Sequence, residues 1–425
     1  MIIHTVQSGE TIFSIAKKYS VSERLLVINN GLEAVTNALP VGLSIVILFP
    51  NETYMVKQGD TLESIAKRYD VNINDLYRYN IILGGNRNIF PGQTIIISYL
   101  PGTTKYNYSV GGYYYTFATE RIINETMPFM KIFMPFTYGF DSSGNISQLN
   151  DGVLLSRSYV YDSAPYFHIS TLTPDGFFNS DLAAQLLSNK DVWPTFCNNV
   201  IETMLNKGYA GADIDFEFLP KEFKEVYPEF LGYMKYRLNE YSYKLIVAVP
   251  PKTSSQQQGA LYEGVDYKAI GQNCDYVLVM TYEWGYTYGP PLPVSPTPSI
   301  RKVLDYAITQ IDRKQIYMGI SNYGYDWTLP YVRNVSKAIS LSNVRAVELA
   351  SQTNSEIYYN IEYEAPYFNY TDNRGNIHEV WFEDARSIKA KLDIINEYAF
   401  HGGLYWNMNR ENPQNLALLS ALIEY

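Results

Sequence analysis

Cysteine is almost absent from this chain: Cys197 and Cys274 are the only two among 425 residues. Two isolated cysteines make neither a disulfide framework nor a metal-ligand spacing, so each is expected as a small buried apolar residue. Histidine is nearly as sparse. His4, His168, His378 and His401 are scattered without ligand spacing, and neither a metal site nor a cofactor is expected. Positive charge is in deficit, with 33 Lys and Arg against 43 Asp and Glu and a formal net charge of −10. That balance disfavours nucleic acid, whose binders present basic patches. No apolar run reaches the roughly 18 residues of a membrane span. The N-terminus, Met1-Ile-Ile-His-Thr-Val, has no basic stretch followed by a long apolar one, so no signal peptide is expected. Low-complexity tracts are also missing, which argues against long disorder.

Other features are plentiful. Hydrophobic residues make up 46% of the chain, enough for a sizeable core, and the length suggests two or three domains. Tyrosine occurs 40 times. Its flat face and polar tip suit sugar rings, although they suit core packing equally.

The first hundred residues repeat. Shifted by 50 positions, Val6, Gly9, Thr11, Ser14, Ile15, Ala16, Tyr19, Leu26 and Asn30 fall on Val56, Gly59, Thr61, Ser64, Ile65, Ala66, Tyr69, Leu76 and Asn80 without a gap. Each copy reads strand, helix, helix, strand. Gly9 and Gly59 supply a turn, Thr11 and Thr61 read as N-caps, and Ser44–Leu48 and Thr94–Ser98 read as closing strands. Each copy resembles a LysM module, on the stretch Val-x-x-Gly-(Asp/Glu)-Thr-(Leu/Ile)-x-x-Ile-Ala. The resemblance implies binding of N-acetylglucosamine glycans, peptidoglycan or chitin-like. It places the groove at Gly9, Glu10, Thr11 and Ile12 in copy one and Gly59, Asp60, Thr61 and Leu62 in copy two. Gly31–Pro40 and Ile81–Pro91 would form the opposite walls. The expected divisions are residues 1–50 and 51–100, a boundary at Pro101–Lys105, and a third domain over 106–425. The pair is expected to act as a separable anchor, because the third domain is long enough for its own core.

From Tyr106 onward strand-like and helical runs alternate. Eight strands are expected: Gly111–Phe117, Lys131–Phe136, Tyr166–Ser170, Gly211–Phe218, Leu245–Val249, Tyr276–Met280, Tyr317–Ile320 and Gly403–Trp406. Eight such units predict an α/β fold, a (β/α)8 TIM barrel of about 250 residues. The surplus is assigned to a small α+β insertion over about 328–383. The chain is expected to be a monomer.

The fourth of these strands organises the chemistry. In Gly211-Ala-Asp-Ile-Asp-Phe-Glu-Phe218, side-chain alternation turns Asp213, Asp215 and Glu217 one way and Ile214, Phe216 and Phe218 the other. A solvated face or a Ca²⁺ or Mg²⁺ cluster could use the same acids. The preceding helical run, Trp193–Asn206, argues against the first, since barrel strands are covered on both faces. The lack of a completing oxygen-rich loop argues against the second.

The domain resembles the family-18 glycoside hydrolases on these residues. The family motif Asp-x-x-Asp-x-Asp-x-Glu reads Ala210-x-x-Asp213-x-Asp215-x-Glu217 here, with its first Asp replaced. Met280-Thr-Tyr282-Glu283-Trp284 resembles the family's Met-x-Tyr-Asp, and Trp406 ends the eighth strand. Tandem LysM modules ahead of such a barrel resemble the spore-cortex-lytic N-acetylglucosaminidases of endospore-forming bacteria, implying a spore or wall location. The resemblance implies substrate-assisted hydrolysis: Glu217 as acid and base, Asp215 holding the acetamido N–H, Asp213 supporting Asp215, and Tyr282 orienting the acetamido oxygen. Trp406 would lie under the sugar, with Met280, Glu283, Trp284, Asn322 and Tyr323 as further substrate contacts. A chitinase, and a barrel that grips glycan without cutting it, are the alternative readings.

Overall fold

The computed structural model describes residues 1–85, 88–100, 105–173 and 178–425. Residues 101–104 of the expected boundary, and 86–87 of the expected Ile81–Pro91 wall, lie outside the described residues.

Eight parallel strands close into a barrel: Ser109–Tyr115, Ile132–Phe136, Ala164–Ser170, Gly211–Asp215, Lys244–Val249, Tyr276–Val279, Ile316–Ser321 and Gly402–Trp406. Alternation along each strand sorts the side chains into two layers. Tyr113, Met134, Tyr166, Ile246, Leu278 and Leu404 fill the barrel. Their neighbours Tyr114, Phe133, Phe167, Val247, Val277 and Tyr405 face the surrounding helices. The helix Trp193–Lys207 shows why the cover is stable. Pro194 occupies its first turn, and Phe196, Cys197, Val200, Ile201 and Met204 form one buried stripe. The Gly208 N–H then closes the helix onto the Met204 carbonyl. Each large side chain in such a stripe contributes about 1.5–3 kcal/mol on burial.

The insertion is a five-stranded antiparallel sheet ordered Ile339–Leu341, Gly324–Leu329, Ile377–Trp381, Ala365–Thr371 and Tyr358–Asn360, with the helix Asn343–Gln352. It takes in Gly324–Leu329, ahead of the expected residue 328. Tyr325 and Trp327 pack with Trp381 in a small aromatic cluster, which draws that strand out of the barrel.

Each module pairs its outer strands antiparallel, Ile2–Thr5 with Ser44–Ile47 and Pro50–Met55 with Thr94–Tyr99. The repeat has visible causes. Thr11 Oγ1 accepts the Ser14 N–H at 3.1 Å and Ser14 Oγ accepts the Thr11 N–H at 2.9 Å, a capping box repeated at Thr61 and Ser64. Each cap contributes about 1 kcal/mol. The Asn30 amide donates to the Leu26 and Val46 carbonyls and accepts the Val46 N–H, tying helix to closing strand. Asn80 does the same with Leu76 and Ile96.

The separable-anchor expectation does not hold. Val6, Ile12, Ile15 and Leu26 of the first module share one core with Ala346, Val347, Ile357, Phe368 and Val380 of the insertion. The Ile357 N–H donates to the Val41 carbonyl at 2.8 Å, and Gln414 Nε2 to the Ser44 carbonyl at 2.6 Å. The second module joins the outer barrel core, where Asn74 donates to the Tyr161 carbonyl at 2.9 Å and Arg78 to the Pro128 carbonyl at 2.7 Å. Removing residues 1–100 would uncover apolar surface on both the insertion and the barrel.

Candidate active site

The fourth strand ends at Asp215, three residues earlier than expected. Asp213 and Asp215 point into the barrel, because Ala212, Ile214 and Phe216 pack in the outer layer. Glu217 lies two residues past the strand, half-buried, at the C-terminal mouth. Phe218 departs from the expected apolar face. It is 42% exposed with φ of 56°, since alternation stops where the strand stops. Ala210 is exposed at the strand's other end and on the opposite parity, so the replaced motif residue stands apart from the acid row.

Asp213 is fully buried. Its Oδ2 accepts the Tyr113 hydroxyl at 2.8 Å and lies 2.7 Å from His168 Nδ1, whose strand is in register with it. Asp213 Oδ1 and Asp215 Oδ1 are buried without a hydrogen-bond partner in the protein. Burial raises the Asp215 pKa to about 6; His168 opposes the rise and Asp213 adds to it. Glu217 is pushed well above the ordinary carboxylate range, first by desolvation, then by the negative charges of Asp215 and Glu283. The same surroundings hold the Tyr282 hydroxyl protonated: burial raises its pKa, and Asp215 and Glu217 raise it further.

Around the acids stands an aromatic wall. The Trp406 ring lies 4.8 Å from Phe136, 5.5 Å from Tyr113 and 5.8 Å from Tyr115. Met280 packs half-buried against the inner barrel cluster. Glu283 accepts hydroxyl hydrogen bonds from Tyr323 and, at 3.3 Å, Tyr325. Tyr323 is therefore at the site as the partner of Glu283.

Several expected contacts lie elsewhere. Asn322 is fully buried. Its amide donates to the Asn407 and Arg410 carbonyls, each at 3.0 Å, and it accepts from Asn412 at 2.9 Å. It ties the seventh-strand exit to the eighth and presents nothing to a sugar. Trp284 packs against the outer core, and its backbone N–H donates to the Val294 carbonyl. In the modules, Ile12 and Leu62 are core residues at 5% and 0% exposure, because they open amphipathic helices. Glu10 is engaged by the Gln7 N–H, His4 and Lys18, and Asp60 by the Lys57 N–H, Tyr54 and Arg68. Both acids hold turns together. Thr11 and Thr61 are occupied as caps, while a Cβ added at Gly9 or Gly59 would meet nothing within 4 Å.

Tyr113 and His168 are the residues that sequence reasoning missed. Both sit at inward positions of strands, the register that carries Asp213; among scattered histidines, strand parity was the available signal. Among the described residues, no three His, Cys, Asp or Glu side chains cluster as a metal site would require.

An acid row that rises from two buried aspartates to a half-buried glutamate at the mouth of a closed (β/α)8 barrel, ringed by aromatics, is the arrangement of a glycan-cleaving type of site. The chain belongs to the glycosyl hydrolases family 18, whose description matches residues 180–411. Residues 4–47 and 54–98 match the LysM domain. The chain is 33% identical over 423 residues to a cortical fragment-lytic enzyme of Bacillus anthracis, covering 98% of this chain and 97% of that one. It is 35% identical to the spore cortex-lytic enzyme SleL of Bacillus megaterium, covering 99% of this chain and 98% of that one with a TM-score of 0.83. A chitinase of Chromobacterium violaceum shares the barrel fold at 22% identity, a TM-score of 0.69, and coverage of 74% of this chain and 98% of that one.

Proposed function

We propose that this protein hydrolyses spore-cortex peptidoglycan at β-1,4 bonds after N-acetylglucosamine, in a spore or wall location, with its modules contributing glycan contacts. The observation that carries the reading is the acid row that runs from buried Asp213 and Asp215 inside the barrel to Glu217 at its C-terminal mouth, where burial and the charges of Asp215 and Glu283 push the Glu217 pKa up. Glu217 gives its proton to the leaving glycosidic oxygen and then takes one from water. Asp215 accepts the acetamido N–H and stabilises the cation that forms. Asp213, fixed through one oxygen by Tyr113 and His168, keeps its other oxygen without a partner and supports Asp215 from the same strand face. Tyr282 donates to the acetamido oxygen, which attacks C1 intramolecularly with a large effective molarity. Trp406 provides the face under the ring. Retention of the acid distinguishes this barrel from a glycan-gripping one.

Digestion of purified cortex fragments, followed by borohydride reduction and mass spectrometry, tests the bond cut. New N-acetylglucosaminitol ends are expected. New muramitol ends, or no new ends, would contradict the reading.

A further inference from the structure

Several cationic side chains around the barrel are held by carboxylates. Arg121 pairs with Glu125 and Glu411, Arg301 with Glu397, Lys207 with Asp151 and Lys391 with Glu383. Arg410 has no carboxylate within 4.0 Å among the described residues. Glu283, the acid of this part of the mouth, is taken by the hydroxyls of Tyr323 and Tyr325. The adjacent Glu411 is taken by Arg121.

The position of Arg410 is fixed. Its carbonyl accepts from the Asn322 amide at 3.0 Å. Its neighbour Asn409 accepts the Tyr115 N–H at 2.8 Å and donates back to the Tyr115 carbonyl at 3.4 Å. The guanidinium carbon lies 5.7 Å from the Tyr323 ring centroid. Burial raises the Tyr115 and Tyr325 hydroxyl pKa values, and the charge of Arg410 pulls against that rise at both. The side chain therefore stands over the mouth between the exits of the first and seventh strands, which flank the strand ending in Trp406.

The surroundings are otherwise negative. The charges of Asp215 and Glu283 meet at the same mouth, and the chain carries a net charge of −10. An anionic polymer meets repulsion there unless one cation answers it. A guanidinium with its fork free and its backbone held is suited to a carboxylate, which it binds bidentately. A chitin chain has no carboxylate. A muramyl residue with an open lactyl side chain carries one on its 3-O-lactyl group, or at the end of a peptide attached there.

We propose that Arg410 binds the carboxylate of a muramyl residue next to the N-acetylglucosamine being cleaved, and that this contact makes the cleft prefer peptidoglycan over chitin. The inference rests on the proposed function and assigns its substrate preference to one side chain.

The test compares kcat/KM for wild type, Arg410→Gln and Arg410→Lys on soluble tetrasaccharides. One is a chitin oligomer. One alternates N-acetylglucosamine with muramyl residues bearing free lactyl carboxylates. One has those carboxylates converted to methyl amides, and one carries L-alanine on the lactyl group. In wild type the carboxylate forms are preferred over the methyl amide. Arg410→Gln is expected to lower that preference roughly tenfold or more, mainly through KM, with partial rescue by lysine. A larger effect on the lactyl form or on the alanyl form identifies which carboxylate is read, and either supports the proposal. Equal losses on neutral and anionic substrates, or an unchanged preference, would overturn it. If wild type cleaves none of the four, the proposed function fails. Calorimetric binding of the lactyl and methyl amide forms to wild type and Arg410→Gln then decides the role of Arg410 separately.

Discussion

The acids of the module turns and the acids of the barrel mouth are the same kinds of residue in opposite situations. Asp60 is surrounded by donors: the Lys57 amide, the Tyr54 hydroxyl and the Arg68 guanidinium together lower its pKa. At Glu10 desolvation pulls upward, but the Gln7 amide, His4 and Lys18 outweigh it and the pKa falls. Asp215 and Glu217 sit among apolar rings and one another, and both rise. An acid supplied with donors serves as a structural tie. An acid denied donors is strained toward its neutral form, and a neutral acid has a proton to give. The motifs that name both regions place a carboxylate beside a turn or strand end. Only the surroundings separate structure from chemistry.

The sharpest break of this comparison is at Glu217. Glu217→Gln should lower turnover on cortex fragments by roughly 10²–10⁴-fold with binding kept, since general acid–base catalysis is worth that much. Asp215→Asn should cost about 10²–10³-fold, as expected for lost stabilisation of developing charge. Its residual activity carries a second signature. The negative charge of Asp215 helps hold the Glu217 proton, so removing it should move the alkaline limb of the pH profile to lower pH. An unmoved limb in Asp215→Asn would show that Glu217 does not set it.

The modules can be sharpened against each other at one repeated glycine. Gly42 and Gly92 have φ of 82° and 86°, so alanine costs roughly 1–2 kcal/mol at either from the backbone alone. A Cβ on Gly92 meets nothing, whereas one on Gly42 would lie 1.8 Å from the Ile357 carbonyl oxygen of the insertion. Gly42→Ala should therefore destabilise by a further ~1–3 kcal/mol in urea unfolding. Equal losses at the two positions would mean the first module is not seated on the insertion.

Stability gives the smallest effect and the cleanest sign. Glu217 has a folded pKa above its unfolded one, so its contribution falls as pH rises between the two values. Glu217→Gln should raise the melting temperature at neutral pH, with the gain shrinking as pH falls into the ordinary carboxylate range. Asp60 has a lowered folded pKa, so its contribution is present above the unfolded value and is lost as pH falls through the folded one. Asp60→Asn should lower the melting temperature slightly at neutral pH and not at strongly acidic pH. Shifts of one sign in both variants would erase the distinction.

Much of this was legible in the sequence because it rests on periodicity. Strand alternation located Asp213 and Asp215 inside the barrel, and the 50-residue repeat located both capping boxes. What was not legible depends on what lies opposite in space. Nothing near Glu10 in sequence shows that His4 occupies its carboxylate, and nothing near Asn322 shows that it anchors Asn407 and Arg410. The parity of His168 was readable, but its value came only with the register that sets it against Asp213. The shared core of the first module and the insertion joins residues more than 300 positions apart, beyond any local pattern.

The most direct test of the account is cleavage of a substrate whose cleaved-side N-acetylglucosamine is de-N-acetylated. With the acids on one wall and the attacking oxygen supplied by the acetamide, the free-amine sugar should bind but not turn over, while its acetylated counterpart is cut with retention of the β configuration. Efficient cleavage of the amine, followed by NMR from the first minutes, would contradict the substrate-assisted mechanism.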